Sequence, residues 1–126
     1  MNDICATPQG NGTSNGTIVT VWECTGAAIQ QWSYDGTYLK NVVSGKCLTP
    51  QGDASGTPGT VLTLWTCTNA MSQRFVAEIF TRHPQINTYY GGMCITDKGD
   101  SQAFGTYLTL WTCNSSYPDS QWWKAP

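Results

Sequence analysis

The chain has 126 residues, of which 40% are hydrophobic, 12% aromatic and only 11% charged, and its net charge is −2. This length suits one domain with one core, the aromatic content excludes a disordered chain, and six scattered basic residues exclude a nucleic-acid surface. The sequence has no apolar run long enough to span a membrane and no visible signal peptide. We therefore expect a mature exported domain, with Met1 as an added start.

The first predicted elements are strands. The stretch Val19 to Trp22 has the period of two and the β-branched residues of a strand, and Asn15-Gly16 marks a turn before it. The stretch Trp32 to Leu39 predicts a hairpin around Asp35-Gly36, with a positive φ in the turn. No segment has a sustained helical period, so the sequence predicts an all-β protein.

This first pattern returns twice along the chain. The motif Gly-Thr-x-x-x-x-Trp-x-Cys occurs at Gly16–Cys24, Gly59–Cys67 and Gly105–Cys113. A Cys-x-Thr motif precedes each copy, at Cys5, Cys47 and Cys94, and a Gln-x-aromatic triplet follows each copy, at Gln30, Gln73 and Gln121. The chain is therefore predicted to be a single domain, residues 1–126, made of three repeats at about 1–40, 41–88 and 89–126.

The six cysteines follow the same repeats. Each repeat contains two cysteines, and these are 19 residues apart in the first repeat, 20 in the second and 19 in the third. This regular spacing favours the pairs Cys5–Cys24, Cys47–Cys67 and Cys94–Cys113. Sequence alone leaves the other pairings open. Disulfides imply an oxidising compartment, so we expect a secreted or extracellular protein. Without a CxxC pair, and with His83 as the single histidine, we expect no metal site and no cofactor.

A threefold repeat at this length favours a closed barrel, because a propeller needs more blades and a sandwich has no reason for threefold repetition. The three motifs, repeated from Cys5 to Trp123, resemble those of the ricin B-chain-like (R-type) β-trefoil lectins, whose bacterial versions are the family 13 carbohydrate-binding modules. The resemblance implies a six-stranded barrel capped by three hairpins, with a shallow sugar pocket on each repeat. It also places the triplet aromatic residues Trp32, Phe75 and Trp123 in the core.

Strand alternation assigns the other tryptophans to the surface. If Val19 and Val21 point inward, alternate positions point outward, namely Thr20, Trp22, Thr63, Trp65, Thr109 and Trp111. An exposed tryptophan ring can stack on the apolar face of a sugar. Trp22, Trp65 and Trp111 are therefore predicted to be sugar platforms. The alternative is that they pack over the neighbouring disulfides.

The polar positions depart from the family pattern. Sugar-binding members usually carry Asp two residues after the first Cys, where this chain has Thr7, Thr49 and Thr96. The Asn that often precedes the triplet Gln is replaced by Ile29, Ser72 and Ser120. A hydroxyl holds a sugar more weakly than a carboxylate does. We therefore expect the missing acceptor to come from the residue after the shared Gly in each repeat: Asn11, Asp53 or Asp100.

These residues define the predicted site. Besides the tryptophans it consists of Thr49, Thr96, Asp53, Asp100, Gln73 and Gln121, and the first repeat, with Ile29 and the neutral Asn11, is the weakest candidate. No catalytic residue is expected, because His83 has no nucleophile beside it and Asp97 and Asp100 are interpreted as a solvated turn.

The sequence thus predicts a non-catalytic glycan-binding domain for galactose-type sugars or a polysaccharide, with no nucleic-acid partner and no membrane insertion. The alternative is a protein-binding trefoil, an inhibitor or assembly subunit, whose contact is the long segment Phe75–Tyr90.

Overall fold

The computed structural model describes residues 4–77 and 85–114. Its strands are β1 (Ile4–Pro8), β2 (Val19–Glu23), β3 (Trp32–Tyr34), β4 (Leu39–Asn41), β5 (Cys47–Pro50), β6 (Leu62–Trp65), β7 (Phe75–Ala77), β8 (Ile86–Thr88), β9 (Met93–Asp97) and β10 (Leu108–Thr112). Single 3₁₀ turns lie at Gln9–Asn11, Ala28–Gln30, Gln51–Asp53, Met71–Gln73 and Lys98–Asp100. The described residues contain no α-helix, which confirms the all-β prediction.

Three equivalent antiparallel hairpins, β1–β2, β5–β6 and β9–β10, form the barrel. Their registers match, since a threonine faces a threonine in each: Thr7 and Thr20, Thr49 and Thr63, Thr96 and Thr109. The shorter hairpins β3–β4 and β7–β8 extend two of them into four-stranded sheets. The strands at Val19, Leu62 and Leu108 therefore lie where the alternating pattern predicts them.

The β3–β4 turn is the predicted Asp-Gly turn. Gly36 has a φ of 94°, a conformation that glycine adopts at no steric cost. The Asp35 carboxylate accepts hydrogen bonds from the backbone N–H of Tyr38 at 2.7 Å and of Thr37 at 2.9 Å. These two bonds hold the pKa of Asp35 below its ordinary value.

Backbone hydrogen bonds join the three hairpins into a ring. The N–H groups of Gly16, Gly59 and Gly105 donate to the carbonyl oxygens of Leu64, Leu110 and Val21, each at 2.7 Å. The first repeat thus bonds to the second, the second to the third, and the third back to the first. This closed ring of three equivalent hairpins is a β-trefoil, as the resemblance implied.

The core lies inside the ring. Its fully buried aliphatic residues come from alternate positions of the second strand of each hairpin: Val19, Val21, Leu62, Leu64, Leu108 and Leu110. Phe75 is buried with them, as predicted, and Trp32 packs against this cluster while half-buried. The Trp32 indole N–H donates to the carbonyl of Ala6 at 3.0 Å. Trp123 lies outside the described residues.

The predicted exposure of Thr20, Thr63 and Thr109 is wrong, because all three are buried. Each hydroxyl donates to the carbonyl oxygen of the threonine opposite it, at 2.9, 3.0 and 3.1 Å. These side chains do point away from the core, as the alternation along the strands predicts. However, the turns at Ala28–Gln30 and Met71–Gln73 pack against the first two hairpins, so an outward direction does not mean contact with solvent.

Each repeat contains one disulfide, and the pairs are those that the spacing favoured. Cys5–Cys24, Cys47–Cys67 and Cys94–Cys113 have Cα–Cα distances of 5.1, 5.2 and 5.0 Å. Each bond closes the loop between the two strands of a barrel hairpin. Within the described ranges, no helix has the length and apolar character needed to cross a membrane.

Candidate functional site

A cavity of about 480 Å³ opens on the outer face of the first barrel hairpin. Thr7 and Thr20 contribute to its lining together with Trp22 and Gln30, and Gly105 joins them from the third repeat. Pro8, which ends β1, and the turn and loop residues Gln9 to Asn11, Thr25, Ala27 and Ile29 complete it. The first repeat was the weakest candidate from its sequence, yet its predicted polar and aromatic residues meet in one cavity.

The three predicted platforms are half exposed and are positioned in the same way. Trp22, Trp65 and Trp111 are 47%, 45% and 53% exposed. Each ring lies against a glycine of a neighbouring repeat. A β-carbon added to Gly105 would lie 3.6 Å from Cζ3 of Trp22. The same atom added to Gly16 or Gly59 would lie 3.9 Å from Cζ3 of Trp65 or 3.7 Å from Cζ3 of Trp111. Two repeats therefore position each ring, and about half of its surface stays open to solvent.

The residue before each of these glycines differs between the repeats. Phe104 precedes Gly105, and its ring centroid lies 5.5 Å from that of Trp22. Asn15 precedes Gly16, and its side-chain oxygen accepts hydrogen bonds from the N–H and the hydroxyl of Thr66, beside Trp65. Sequence reasoning missed Phe104. An alignment of the residue before the shared glycine in each repeat, which is Asn15, Pro58 or Phe104, would have shown that an aromatic residue occurs there only in the third repeat.

Gln30 and Gln73, the triplet glutamines of the first two repeats, lie at the base of the candidate site. In the second repeat, Gln73 is fully buried, and its amide donates to the hydroxyl of Thr49 and to the carbonyl of Thr66, both at 3.0 Å. Its oxygen accepts from the N–H of Thr68 at 2.9 Å. Gln30 bonds to Thr7 in the same way at 3.1 Å. These contacts connect the hairpin to the loop that follows it, so the glutamines fix the shape of the site.

The threonines at the family's Asp position lie beneath this network. Thr7, Thr49 and Thr96 are all buried, and each hydroxyl donates at 2.9 Å to the carbonyl of the cysteine two residues earlier. Thr49 also accepts from Gln73. A hydroxyl held in this way has little freedom to reorient toward a ligand. The threonines therefore form part of the buried floor of the hairpin.

The loop residues that were expected to replace the acceptor share one conformation. Asn11, Asp53 and Asp100 have φ values of 56°, 59° and 57°, in the left-handed region that Asn and Asp tolerate best among residues with a side chain. All three are exposed. The hydroxyl of Ser72 donates to Oδ1 of Asp53 at 2.7 Å. The second repeat thus holds a carboxylate beside Gln73, where the first repeat has Asn11 and Ile29.

The interpretation of Asp97 as part of a solvated turn is wrong. Asp97 ends β9, where the first two repeats have Pro8 and Pro50, and none of its surface is exposed. Neither carboxylate oxygen has a hydrogen-bond partner in the described part of the chain. Burial, with a contribution from the charge of Asp100, raises the pKa of Asp97 to about 7. Asp100 itself is exposed, as expected of a turn residue.

Other predicted positions lie outside the described residues: His83, Ser120 and Gln121. Across residues 4–77 and 85–114, no group of three or more His, Cys, Asp or Glu side chains is arranged to hold a metal ion.

The sequence and fold match known proteins. The profile of the ricin-type beta-trefoil lectin domain family matches residues 1–75. No curated protein matches the sequence. The fold is similar to that of the designed threefold-symmetric protein ThreeFoil, with a TM-score of 0.86 at 18% identity over 96% of this chain and 89% of that one.

Two natural lectins are similar as well. The agglutinin from Abrus precatorius gives a TM-score of 0.75 at 22% identity over 97% of this chain, which spans only 44% of the agglutinin. The C-terminal half of an earthworm R-type lectin, solved in complex with GalNAc, gives 0.68 at 10% identity over 95% and 92% of the two chains. At these identities the structural matches establish the fold, and the profile establishes the family.

Proposed function

Because the chain belongs to the ricin-type β-trefoil lectin domain family, we propose that it is a non-catalytic carbohydrate-binding domain with tryptophan platforms. Family membership supports carbohydrate binding in general. One observation supports the finer proposal: three equivalent tryptophan rings are each about half exposed and each is supported by a glycine of another repeat. A monomer rarely exposes large aromatic surface in equivalent places unless the surface binds something.

The chemistry of the site suits a neutral sugar. The C–H face of a pyranose ring stacks on the indole of Trp22, Trp65 or Trp111, while nearby polar groups select the hydroxyl positions. In the second repeat, Asp53 is the proposed hydroxyl acceptor, since Ser72 holds it on one side. Thr49 and Gln73 support that position from below, and Asp100, Thr96 and Gln121 are their proposed counterparts in the third repeat.

The proposed ligands are galactose-type sugars or a polysaccharide that carries them. The earthworm R-type lectin was solved with GalNAc, which makes galactose-type sugars the first probes to try. Each shallow site is expected to bind weakly, and three sites on one domain raise the avidity for a multivalent target. The three disulfides support an extracellular, oxidising location.

Replacing Trp65 and Trp111 together by alanine is expected to lower glycan binding more than about tenfold, because both stacking surfaces are removed. The measurement is a glycan array with the wild type and the double variant, followed by calorimetry with the best glycan. Circular dichroism of the variant serves as the folding control. If the folded wild type bound no glycan at all, the proposal would fail and the protein-binding alternative would be favoured.

Replacing Asp53 by asparagine is expected to weaken binding at the second repeat about tenfold, because a neutral amide accepts a sugar hydroxyl less strongly than a carboxylate does. Asparagine is the natural control for the backbone, since Asn11 has the same left-handed conformation. The indole N–H signal of Trp65 in a ¹⁵N NMR titration reports this repeat separately. An unchanged Trp65 titration would remove Asp53 from the site. Asp100→Asn tests the third repeat in the same way, through Trp111.

A further inference from the structure

A pair of exposed aromatic residues lies in the turn between β8 and β9. Tyr89 and Tyr90 are 59% and 42% exposed. Their ring centroids are 5.1 Å apart, with an edge-to-face angle of 63°. Neither ring belongs to the core, and neither belongs to the three predicted platforms. The corresponding turn between β4 and β5, where the first repeat passes into the second, carries Val42 and Val43, and these residues are also exposed.

Two contacts attach this tyrosine turn to the site of the second repeat. The N–H of Tyr89 donates to the carbonyl of Arg74, the residue that follows Gln73, at 2.9 Å. The hydroxyl of Thr88 donates to the carbonyl of Ser55 at 2.9 Å. The tyrosines are therefore tied both to the glutamine side of the site and to the loop that carries Asp53.

A close backbone approach fixes the turn further. A β-carbon at Gly91 would lie 2.5 Å from Cα of Gly56 and 2.7 Å from the carbonyl oxygen of Ser55, so only glycine fits there. Gly91 also has a φ of 99°. The turn that carries the two tyrosines and the loop that carries Asp53 thus pack backbone against backbone.

We propose that Tyr89 and Tyr90 form a second sugar subsite, so that the second repeat recognises an oligosaccharide rather than a single sugar. This inference rests on the proposed function. A glycan whose first ring lies on Trp65 continues beyond the Asp53 loop, where a tyrosine face offers stacking and the phenol hydroxyls offer hydrogen bonds. Because valine offers neither, the corresponding turn at Val42 and Val43 gives the first-repeat site no such extension.

The test is a comparison of chain lengths. An array carrying monosaccharides and the matching di- and trisaccharides is probed with the wild type and with Tyr89→Val/Tyr90→Val, which installs the residues of the turn between β4 and β5. The wild type is expected to favour the longer members about tenfold over the monosaccharide. The variant is expected to lose that preference and to keep its monosaccharide binding. The single variants Tyr89→Val and Tyr90→Val, together with tyrosine ring NMR signals of the wild type, cover the case in which the double variant does not fold.

The outcomes separate the two proposals. Equal binding of mono- and oligosaccharides by the wild type, or a length preference that survives in the variant, overturns the tyrosine subsite while carbohydrate binding stands. Tyrosine ring signals that do not shift with the trisaccharide overturn it as well. If a folded wild type binds no glycan of any length, both proposals fail.

Discussion

Replacing Asp97 by proline is expected to stabilise the domain by about 4 kcal/mol at pH 8, because it removes a buried, ionised carboxylate that has no hydrogen-bond partner among the described residues. The magnitude follows from the pKa of Asp97, which rises from 3.8 to about 7 on folding, at about 1.4 kcal/mol for each pH unit. The substitution also copies the other repeats, which have Pro8 and Pro50 at this position.

The backbone at Asp97 is already suited to proline. Its φ of −64° is close to the −57° of Pro8 and the −60° of Pro50. In the third repeat the next residue, Lys98, donates its N–H across the hairpin to Tyr107 at 3.0 Å, as Gln9 donates to Ile18 in the first. This alternation directs the N–H of residue 97 away from the partner strand, so proline removes no cross-strand hydrogen bond.

The dependence on pH has a definite sign. Below about pH 3, Asp97 is protonated in both the folded and the unfolded chain, so its ionisation costs the fold nothing. As the pH rises from about 3 to about 7, the unfolded chain ionises first, and the contribution of Asp97 to the free energy of unfolding falls. Above about pH 8 the loss is complete.

Urea unfolding of the wild type, Asp97→Pro and Asp97→Asn between pH 4 and pH 8 measures this contribution. In both variants, the free energies of unfolding at pH 4 and at pH 8 are expected to differ much less than they do in the wild type. The asparagine variant separates the effect of the charge from the effect of the proline ring. A wild-type stability that falls no more between pH 4 and pH 8 than that of the variants would contradict the assignment.

Replacing Gln73 by alanine is expected to lower the free energy of unfolding by about 3 kcal/mol, because the buried hydrogen bonds of one side chain are lost together. The N–H of Thr68 and the carbonyl of Thr66 would be left without this partner. The same change is expected to abolish binding at the second repeat, since the hydroxyl of Thr49 and the loop after β6 lose their support.

Gln30→Ala is the matched control in the first repeat. Gln30 makes equivalent contacts to Thr7, Thr25 and Glu23 but is only half-buried, so a smaller loss of about 1 kcal/mol is expected. Urea unfolding gives the stabilities, and the indole signals of Trp22 and Trp65 report binding at each repeat. Equal losses of stability in the two variants would mean that burial does not set the cost.

The sequence predicted the features that depend on local pattern and repetition. Period-two alternation located β2, β6 and β10 and separated Val19 and Val21, which lie in the core, from the half-exposed Trp22. The repeat gave the three cysteine pairs. Both kinds of evidence work because strand geometry and loop closure are set by residues close in the chain.

Features that depend on distant segments were missed. Alternation gives the side of a strand that a residue occupies, but not what covers that side, and therefore Thr20, Thr63 and Thr109 were predicted to be exposed. Asp97 occupies a proline position, and a charged residue in a Gly-rich turn ordinarily indicates solvent. Phe104 reaches Trp22 from the third repeat, a contact that only the closed ring creates.

The glycine beneath each tryptophan has a consequence for the origin of the fold. Trp22 rests on Gly105, Trp65 on Gly16 and Trp111 on Gly59, and the same segments exchange backbone hydrogen bonds around the ring. A peptide of one repeat would therefore lack both the support for its platform and the partner for its strand. It could acquire a complete site only as a trimer, so a single-repeat ancestor would have had to self-assemble before gene fusion made the three copies one chain.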